Sequence, residues 1–377
     1  MSIVDPRVLF IGDKFGYPGG VAHGGTTYFL QVLPALADAG VEVTSCFLRE
    51  AHPLAEPLFA QGLDPVFLAA SPLDPSPAWR LAALARQHGC NVIHASGIKA
   101  ALMARIAARL AKAQTAVHVH DQKPTGFAVS HLHKLFARPT DIGICVSQAV
   151  GATAVGDYHV SPDRLRVIPN GIQLERFRAV PSDSRVQVRQ SLGIPVDRPA
   201  LGMFGRLYPV KGHRAMLKML PEILRGCPDA LLLLAGDGPE REPCEALVAS
   251  LGLDQAVMFL GHRNDIPELL SVCDVFVMPS ETEGLGFAAI EAFAMGVPVV
   301  GFDVGGLGEV IEEGADGLLV PHGDCAAFCA AVLSLLMDAG RRAEFGARAL
   351  QAVERFSIES HVALLVDCYR ELASVPS

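Results

Sequence analysis

The chain has 377 residues, 50% of them hydrophobic and 19% charged, and a formal net charge of −9. That length allows two domains that each bury a core, while an acidic chain with 6% aromatic residues is a poor match for nucleic acid. No apolar run reaches the ~18 residues of a spanning helix.

MSIVDPRVLFIG, at the start, has an acid and a proline where a signal peptide carries basic and apolar regions. The nine cysteines form no C-x-x-C pair, and Cys325 and Cys329, four apart, read as one face of a helix rather than as ligands. A reduced, cytoplasmic protein is the expectation. Charge is uneven: the first 175 residues carry 14 basic and 13 acidic side chains, and the rest carry 17 and 27. The more basic N-terminal half could meet an anionic acceptor or a membrane surface.

Short apolar runs alternate with helical patterns, which predicts an α/β protein with parallel sheets. In chain order the first strand candidates are Arg7–Gly12, Val41–Phe47, Pro65–Leu68, Val92–His94, Ala116–His120, Ile142–Val146 and Arg166–Ile168. Helical patterns such as Thr26–Ala39 and Ala100–Lys112 fall between them. The segment IPNGIQLERFRAVPSDSR, Ile168–Arg185, reads as a turn and a linker. The rhythm then restarts with Ala200–Phe204, Ala230–Ala235, Val257–Leu260, Val275–Met278, Pro298–Gly301 and Gly317–Val320. Two Rossmann-like domains are predicted, followed by a terminal helix with Ser357 as its N-cap.

Open parallel sheets bind ligands beyond the carboxyl ends of their strands, so the loops there carry the chemistry. After the first strand comes GDKFGYPGGVAHGG, whose glycines let backbone approach a ligand at a helix start. It is not the dinucleotide fingerprint, and a tight loop without a ligand would use the same glycines. After Ala200–Phe204 comes GRLYPVKGH, where Arg206, Lys211 and a helix N-terminus suit a phosphate, although two solvated surface cations would read alike.

After Val275–Met278 comes SETEGLGFAAIEAFAMG. Glu283 falls in a loop before two glycines, and Glu291 stands about a turn inside an apolar helix, where an unpaired carboxylate is costly. A polyhydroxylated ligand would satisfy it. Cations, amides and two carboxylates around one crevice describe a nucleotide-sugar.

In order along the chain, HGGTTYFLQVLPALADAGVEV, NVIHASG, HVHD, CVSQAV, VIPNGIQLERF, GRLYPVKG, LLLLAGDGPE, FLGHRNDIPELL and PSETEGLGFAAIEAFAMGVPVV then GGLGEVIEEGADGLLV resemble the retaining glycosyltransferases of family 4. The pair Glu283 and Glu291 with GRLYPVKG upstream is the specific part. The resemblance implies a GT-B fold, two Rossmann-like domains facing each other across a cleft. The N-terminal acceptor-side domain spans 1–170, the nucleotide-sugar domain 171–355, and a helix over 356–377 crosses back to the first.

The resemblance also implies roles. Arg206 and Lys211 hold the donor diphosphate, Glu283 meets hydroxyls of the transferred sugar, and Glu291 binds the ribose. Gly284, Leu285, Gly286 and Phe287 complete that donor site, Arg263 lies in the base-pocket segment His262–Ile266, and Gly24 and Gly25 face the diphosphate. His120 faces the transferred sugar; His118 is the competing choice, and the adjacent Asp121 favours His120.

The chain has no D-x-D pair, so cations and helix termini stand in for a metal at the leaving diphosphate, and no cofactor is expected. The implied activity moves a hexosyl unit from a UDP- or GDP-sugar to a glycan or lipid-linked acceptor in exopolysaccharide or other cell-surface glycan synthesis. A GT-B sugar-nucleotide epimerase, a non-catalytic nucleotide-sugar-binding module and a Rossmann oxidoreductase are the alternatives. Two basic segments could bring the N-terminal half to the inner membrane face: Ala100–Lys112, with Arg105, Arg109 and Lys112, and Ser130–Arg138, with His131, His133, Lys134 and Arg138. For the first, the preferred reading is a helix that packs an apolar stripe of Leu102, Ile106 and Leu110 on a sheet and solvates its charges.

Overall fold

The computed structural model describes residues 5–16, 24–123, 125–137, 140–181 and 183–375. The chain forms two compact units, one of Met1–Gly171 with Phe356–Ser377, the other Ile172–Arg355. Each is built on a parallel sheet. The first unit's strands are β1 (Arg7–Gly12), β2 (Glu42–Phe47), β3 (Val66–Phe67), β4 (Val92–Ser96), β5 (Gln114–Val119), β6 (Ile142–Cys145) and β7 (Leu165–Val167). They lie in the order β3-β2-β1-β4-β5-β6-β7. The second unit's strands are β8 (Ala200–Phe204), β9 (Leu231–Ala235), β10 (Val257–Gly261), β11 (Val275–Met278), β12 (Val299–Asp303) and β13 (Gly317–Pro321), ordered β10-β9-β8-β11-β12-β13. All thirteen strands stand within two residues of their expected bounds.

Both strand orders reverse beside the unit's first strand, between β1 and β4 and between β8 and β11. Such a reversal opens a crevice at the carboxyl edge because the flanking helices depart to opposite faces. Central strands such as β4, β8 and β9 are buried at every residue, which fits continuous apolar runs covered by helices on both faces. In the second unit the helix His213–Gly226 turns Met216, Leu217, Leu220 and Ile223 into the core. In the first, the helix Ile358–Ala373 packs Val362, Leu365, Tyr369 and Leu372 into the core of β1, β4 and β5. Ser357 caps that helix, its hydroxyl accepting from the Ser360 amide at 3.1 Å.

Of the three cations named for Ala100–Lys112, Arg109 and Lys112 are exposed, but Arg105 is not. The helix Ile98–Ala111 buries its alanines and Met103, while Leu110 is exposed. Arg105 is fully buried and donates to Thr140 Oγ1 (2.8 Å) and the Tyr158 carbonyl (2.6 Å), with its other terminal nitrogen 2.8 Å from His133 Nδ1. Small alanines let this helix sit close to its sheet, so the apolar stripe of large side chains is not the packed face. His133 is buried as well, and Arg138 lies outside the described residues. Of Cys325 and Cys329, both on the helix Cys325–Leu336, only Cys329 is buried.

Candidate active site

At the β8–β11 crevice two of the second unit's charged residues meet. Beyond β8, Pro209–Lys211 forms a single 3-10 turn, and Gly212 then starts the helix His213–Gly226 with φ +77°. A Cβ at Gly212 would overlap the Pro279 carbonyl, just past β11, so only glycine allows these two loops to touch. The touch brings Lys211 to Glu283. The ammonium donates to both carboxylate oxygens, at 2.8 and 2.9 Å, and Ser280 donates to Oε1 at 2.7 Å.

Glu283 is only 6% exposed, and a buried carboxylate persists as a charge only when paired in this way. Its own carbonyl accepts from Gly306 at 3.0 Å, which ties the loop to the 3-10 turn Gly305–Glu309. An ammonium has three donors, so one remains for an oxyanion.

The loop continues through Gly284 and the buried Leu285 to Gly286, which opens the helix Phe287–Ala294. Glu291 lies on that helix, half-buried, and desolvation pushes its carboxyl up to about 7 against the pull of Arg176. Arg176, on the helix Leu174–Arg178, also donates to the Asn264 carbonyl. Its charge thus acts on Glu291 while its hydrogen bond holds the segment His262–Ile266. In that segment Arg263 grips Asp265 with two donors, Nε at 2.8 Å. Arg206 stacks its guanidinium 4.7 Å from the centre of the Tyr208 ring.

In the first unit, Gly24 and Gly25 open the helix Gly24–Asp38. Most of the loop before it, including Tyr17 and Pro18, lies outside the described residues. His120 follows β5 directly, at the sheet's carboxyl edge, half-buried. Its Nε2 is 3.0 Å from Ser96 Oγ and its Nδ1 3.5 Å from Asn170 Nδ2. Burial and the neighbouring His361 lower its pKa to about 3, so it is a neutral imidazole near pH 7. His118, the competing choice, is fully buried two residues earlier on the strand and stacks on His120 with centroids 3.9 Å apart. Among the described residues no group of three or more His, Cys, Asp or Glu could hold a metal ion.

Two models of known families match the chain, one on each side of residue 180. Residues 22–176 match Glycosyltransferase Family 4, and residues 198–338 match Glycosyl transferases group 1. The chain belongs to the family 4 glycosyltransferases. Its sheets share the GT-B fold of HepE from Anabaena, solved in complex with UDP, at 24% identity and a TM-score of 0.85 over 97% of this chain and all of that one.

A D-inositol 3-phosphate glycosyltransferase of Corynebacterium urealyticum is 33% identical over 63% of this chain and 58% of its own length. An Escherichia coli UDP-Gal:alpha-D-GlcNAc-diphosphoundecaprenol alpha-1,3-galactosyltransferase is 28% identical over 68% of each. The chain thus spans little more than half the length of the inositol relative.

Ser280, Arg176 and Asn170 are the site residues that sequence reasoning passed over. All three lie inside motifs already singled out, PSETEG and VIPNGIQLERF, but their types gave no charge pattern or spacing that marked them.

Proposed function

We propose that the chain is a retaining, metal-independent glycosyltransferase that moves a hexosyl unit from a UDP- or GDP-sugar to a hydroxyl of a glycan or lipid-linked saccharide in cell-surface glycan synthesis. The observation that carries this reading is the Lys211–Glu283 pair at the β8–β11 strand reversal, braced by Ser280, with Glu291 on the helix that follows.

In this reading Lys211 and Arg206 bind the diphosphate and stabilise the charge that grows on it as its bond to the sugar breaks. Glu283 accepts hydrogen bonds from the sugar hydroxyls, and Glu291 accepts from the ribose, with Arg263 and Arg176 in the adjoining segments. Gly284, Leu285, Gly286 and Phe287 shape that site, and Gly24 and Gly25 are the first unit's donor-binding residues. His120 acts on the reacting sugar. The acceptor oxygen bonds to the anomeric carbon on the face the diphosphate leaves, and its proton passes to a leaving phosphate oxygen. The UDP-Gal in the name of the diphosphoundecaprenol relative, and the UDP bound by HepE, support a nucleotide-sugar donor.

The test is calorimetric screening of the protein against UDP- and GDP-sugars, followed by product chromatography with saccharide and lipid-linked acceptors. Binding of none of these donors would overturn the reading.

No helix among the described residues is long and apolar enough to cross a membrane. The helix Phe127–Leu135 nevertheless exposes Phe127 (90%), Leu135 (71%) and Leu132 (43%) beside His131 and Lys134, and it carries no acid. We propose that it rests on an anionic lipid surface, its apolar side chains in the interface and its cation at the headgroups. Sedimentation with anionic vesicles tests this; Phe127→Ser with Leu135→Ser should abolish it, and an unchanged bound fraction would refute it.

A further inference from the structure

A buried chain of rings runs beneath His120. His118 Nδ1 lies 3.3 Å from His94 Nε2 and 3.4 Å from the Tyr28 hydroxyl. The Tyr28 hydroxyl is 3.1 Å from His361 Nε2, and the Tyr369 hydroxyl is 2.8 Å from His94 Nδ1. All five side chains are at most 2% exposed. His361 and Tyr369 belong to the C-terminal helix, so the far end of the chain supplies two members of a cluster otherwise built from residues 28–118.

One carbonyl sets the proton positions. His361 Nδ1 lies 2.7 Å from the Pro169 oxygen, which can only accept, so Nδ1 carries the proton and donates. In a neutral imidazole the other nitrogen then accepts, and the Tyr28 hydroxyl donates to it. The same turn is held by close packing two residues on, because a Cβ at Gly171 would overlap the Ser357 carbonyl. The start of the C-terminal helix thus grips Pro169 and Gly171. Asn170 stands between them, 2% exposed, with its amide nitrogen toward His120 Nδ1 at 3.5 Å. With Nδ1 accepting from that amide, His120 carries its proton on Nε2 and donates to Ser96 Oγ at 3.0 Å.

We propose that His361 is a positioning residue: by holding the Pro169–Gly171 turn it aims Asn170 at His120 and fixes that imidazole in one orientation, protonated on Nε2. The kinetic part of its test rests on the glycosyltransferase reading; the spectroscopic part does not.

The experiment uses the full chain labelled with ¹⁵N-histidine, and its ring ¹⁵N–¹H spectrum, with the His120 signal identified by its loss in His120→Gln. Wild type should show His120 protonated on Nε2 alone. In His361→Leu that signature should average between the two nitrogens. Turnover should fall about tenfold or more, as for a misplaced reacting group, while donor KM holds. His361→Asn, whose amide can replace the Nδ1 donor toward Pro169, should restore both.

A folded leucine variant with the wild-type His120 spectrum overturns the proposal, as does an asparagine variant no better than leucine. If the leucine variant does not fold, His361→Asn is set against His361→Gln, which presents its amide at the Nε2 position, and equal His120 spectra in those two refute the role. A wild type without turnover on any nucleotide-sugar counts against the glycosyltransferase reading, while the spectrum still decides the role of His361.

Discussion

Replacing Glu291 by Gln should make the second unit more stable and bind nucleotide more weakly, and the stability gain should depend on pH. The Glu291 carboxyl is raised from 4.5 to about 7, mainly by desolvation. Between those values the folded state keeps a proton that the unfolded chain has released, so stability falls as pH rises through the window. One unit corresponds to about 1.4 kcal/mol. The ionised side chain therefore costs roughly 2–3 kcal/mol at pH 8, the lower figure allowing for the solvent that reaches this half-buried group. At pH 5 most of that cost has gone.

In a domain of this size about 1 kcal/mol moves Tm by ~2–4 °C. Calorimetric melting of the ligand-free proteins should thus place Glu291→Gln roughly 4–12 °C above wild type at pH 8, with the two close together at pH 5. Nucleotide affinity measured by titration should move the other way. Losing a hydrogen bond to a charged acceptor, about 1.5–3 kcal/mol, weakens binding roughly ten- to hundredfold. A Tm gap independent of pH would refute the desolvation argument, and unchanged nucleotide affinity would refute the ribose role.

Other expectations follow from the same geometry. Lys211→Ala leaves Glu283 buried with Ser280 as its remaining side-chain partner, so it should cost about 3–5 kcal/mol of stability and lower both donor affinity and turnover; the additional substitution Glu283→Gln should recover stability but not turnover, and a double variant as unstable as the single one would argue against the pair. Gly212→Ala forces a side chain onto a φ of +77° and into the Pro279 carbonyl, so a loss of more than ~1–3 kcal/mol is expected in urea melts, and a neutral result would contradict the loop contact. Transfer should persist in EDTA; activity abolished by chelation and restored by manganese or magnesium would show that the cations do not suffice. Acid should unfold the first unit early, because His120 at about 3 and His361 and His133 at about 4 are held neutral by burial. Their contribution is complete above the unfolded value of ~6.5 and is lost as pH falls toward 4, which fluorescence of Trp79, the sole tryptophan and a residue of that unit, can follow.

The strands, the order of the motifs and the loops at the strands' carboxyl ends were legible in the sequence, because each rests on local pattern: an apolar run, a turn and a helix start lie within a dozen residues of one another. Ser357 could be read as a cap for the same reason, since its partner is three residues away. Glu291 was also readable, as one acid within an apolar helix. What the tertiary structure decided are the pairings made at a distance.

Lys211 meets Glu283 across 72 residues because β8 and β11 are sheet neighbours and Gly212 allows their loops to touch, and neither condition has a local signature. Arg105 looked like a solvated cation by its spacing, yet it is buried because polar partners from Thr140, His133 and Tyr158 converge where only the fold brings them together. His361 and Tyr369 had no functional mark in a terminal helix; packing that helix over β4 and β5 places them beside His94 and Tyr28. Periodicity determines which face of an element turns inward, but only the sheet order determines what that face meets.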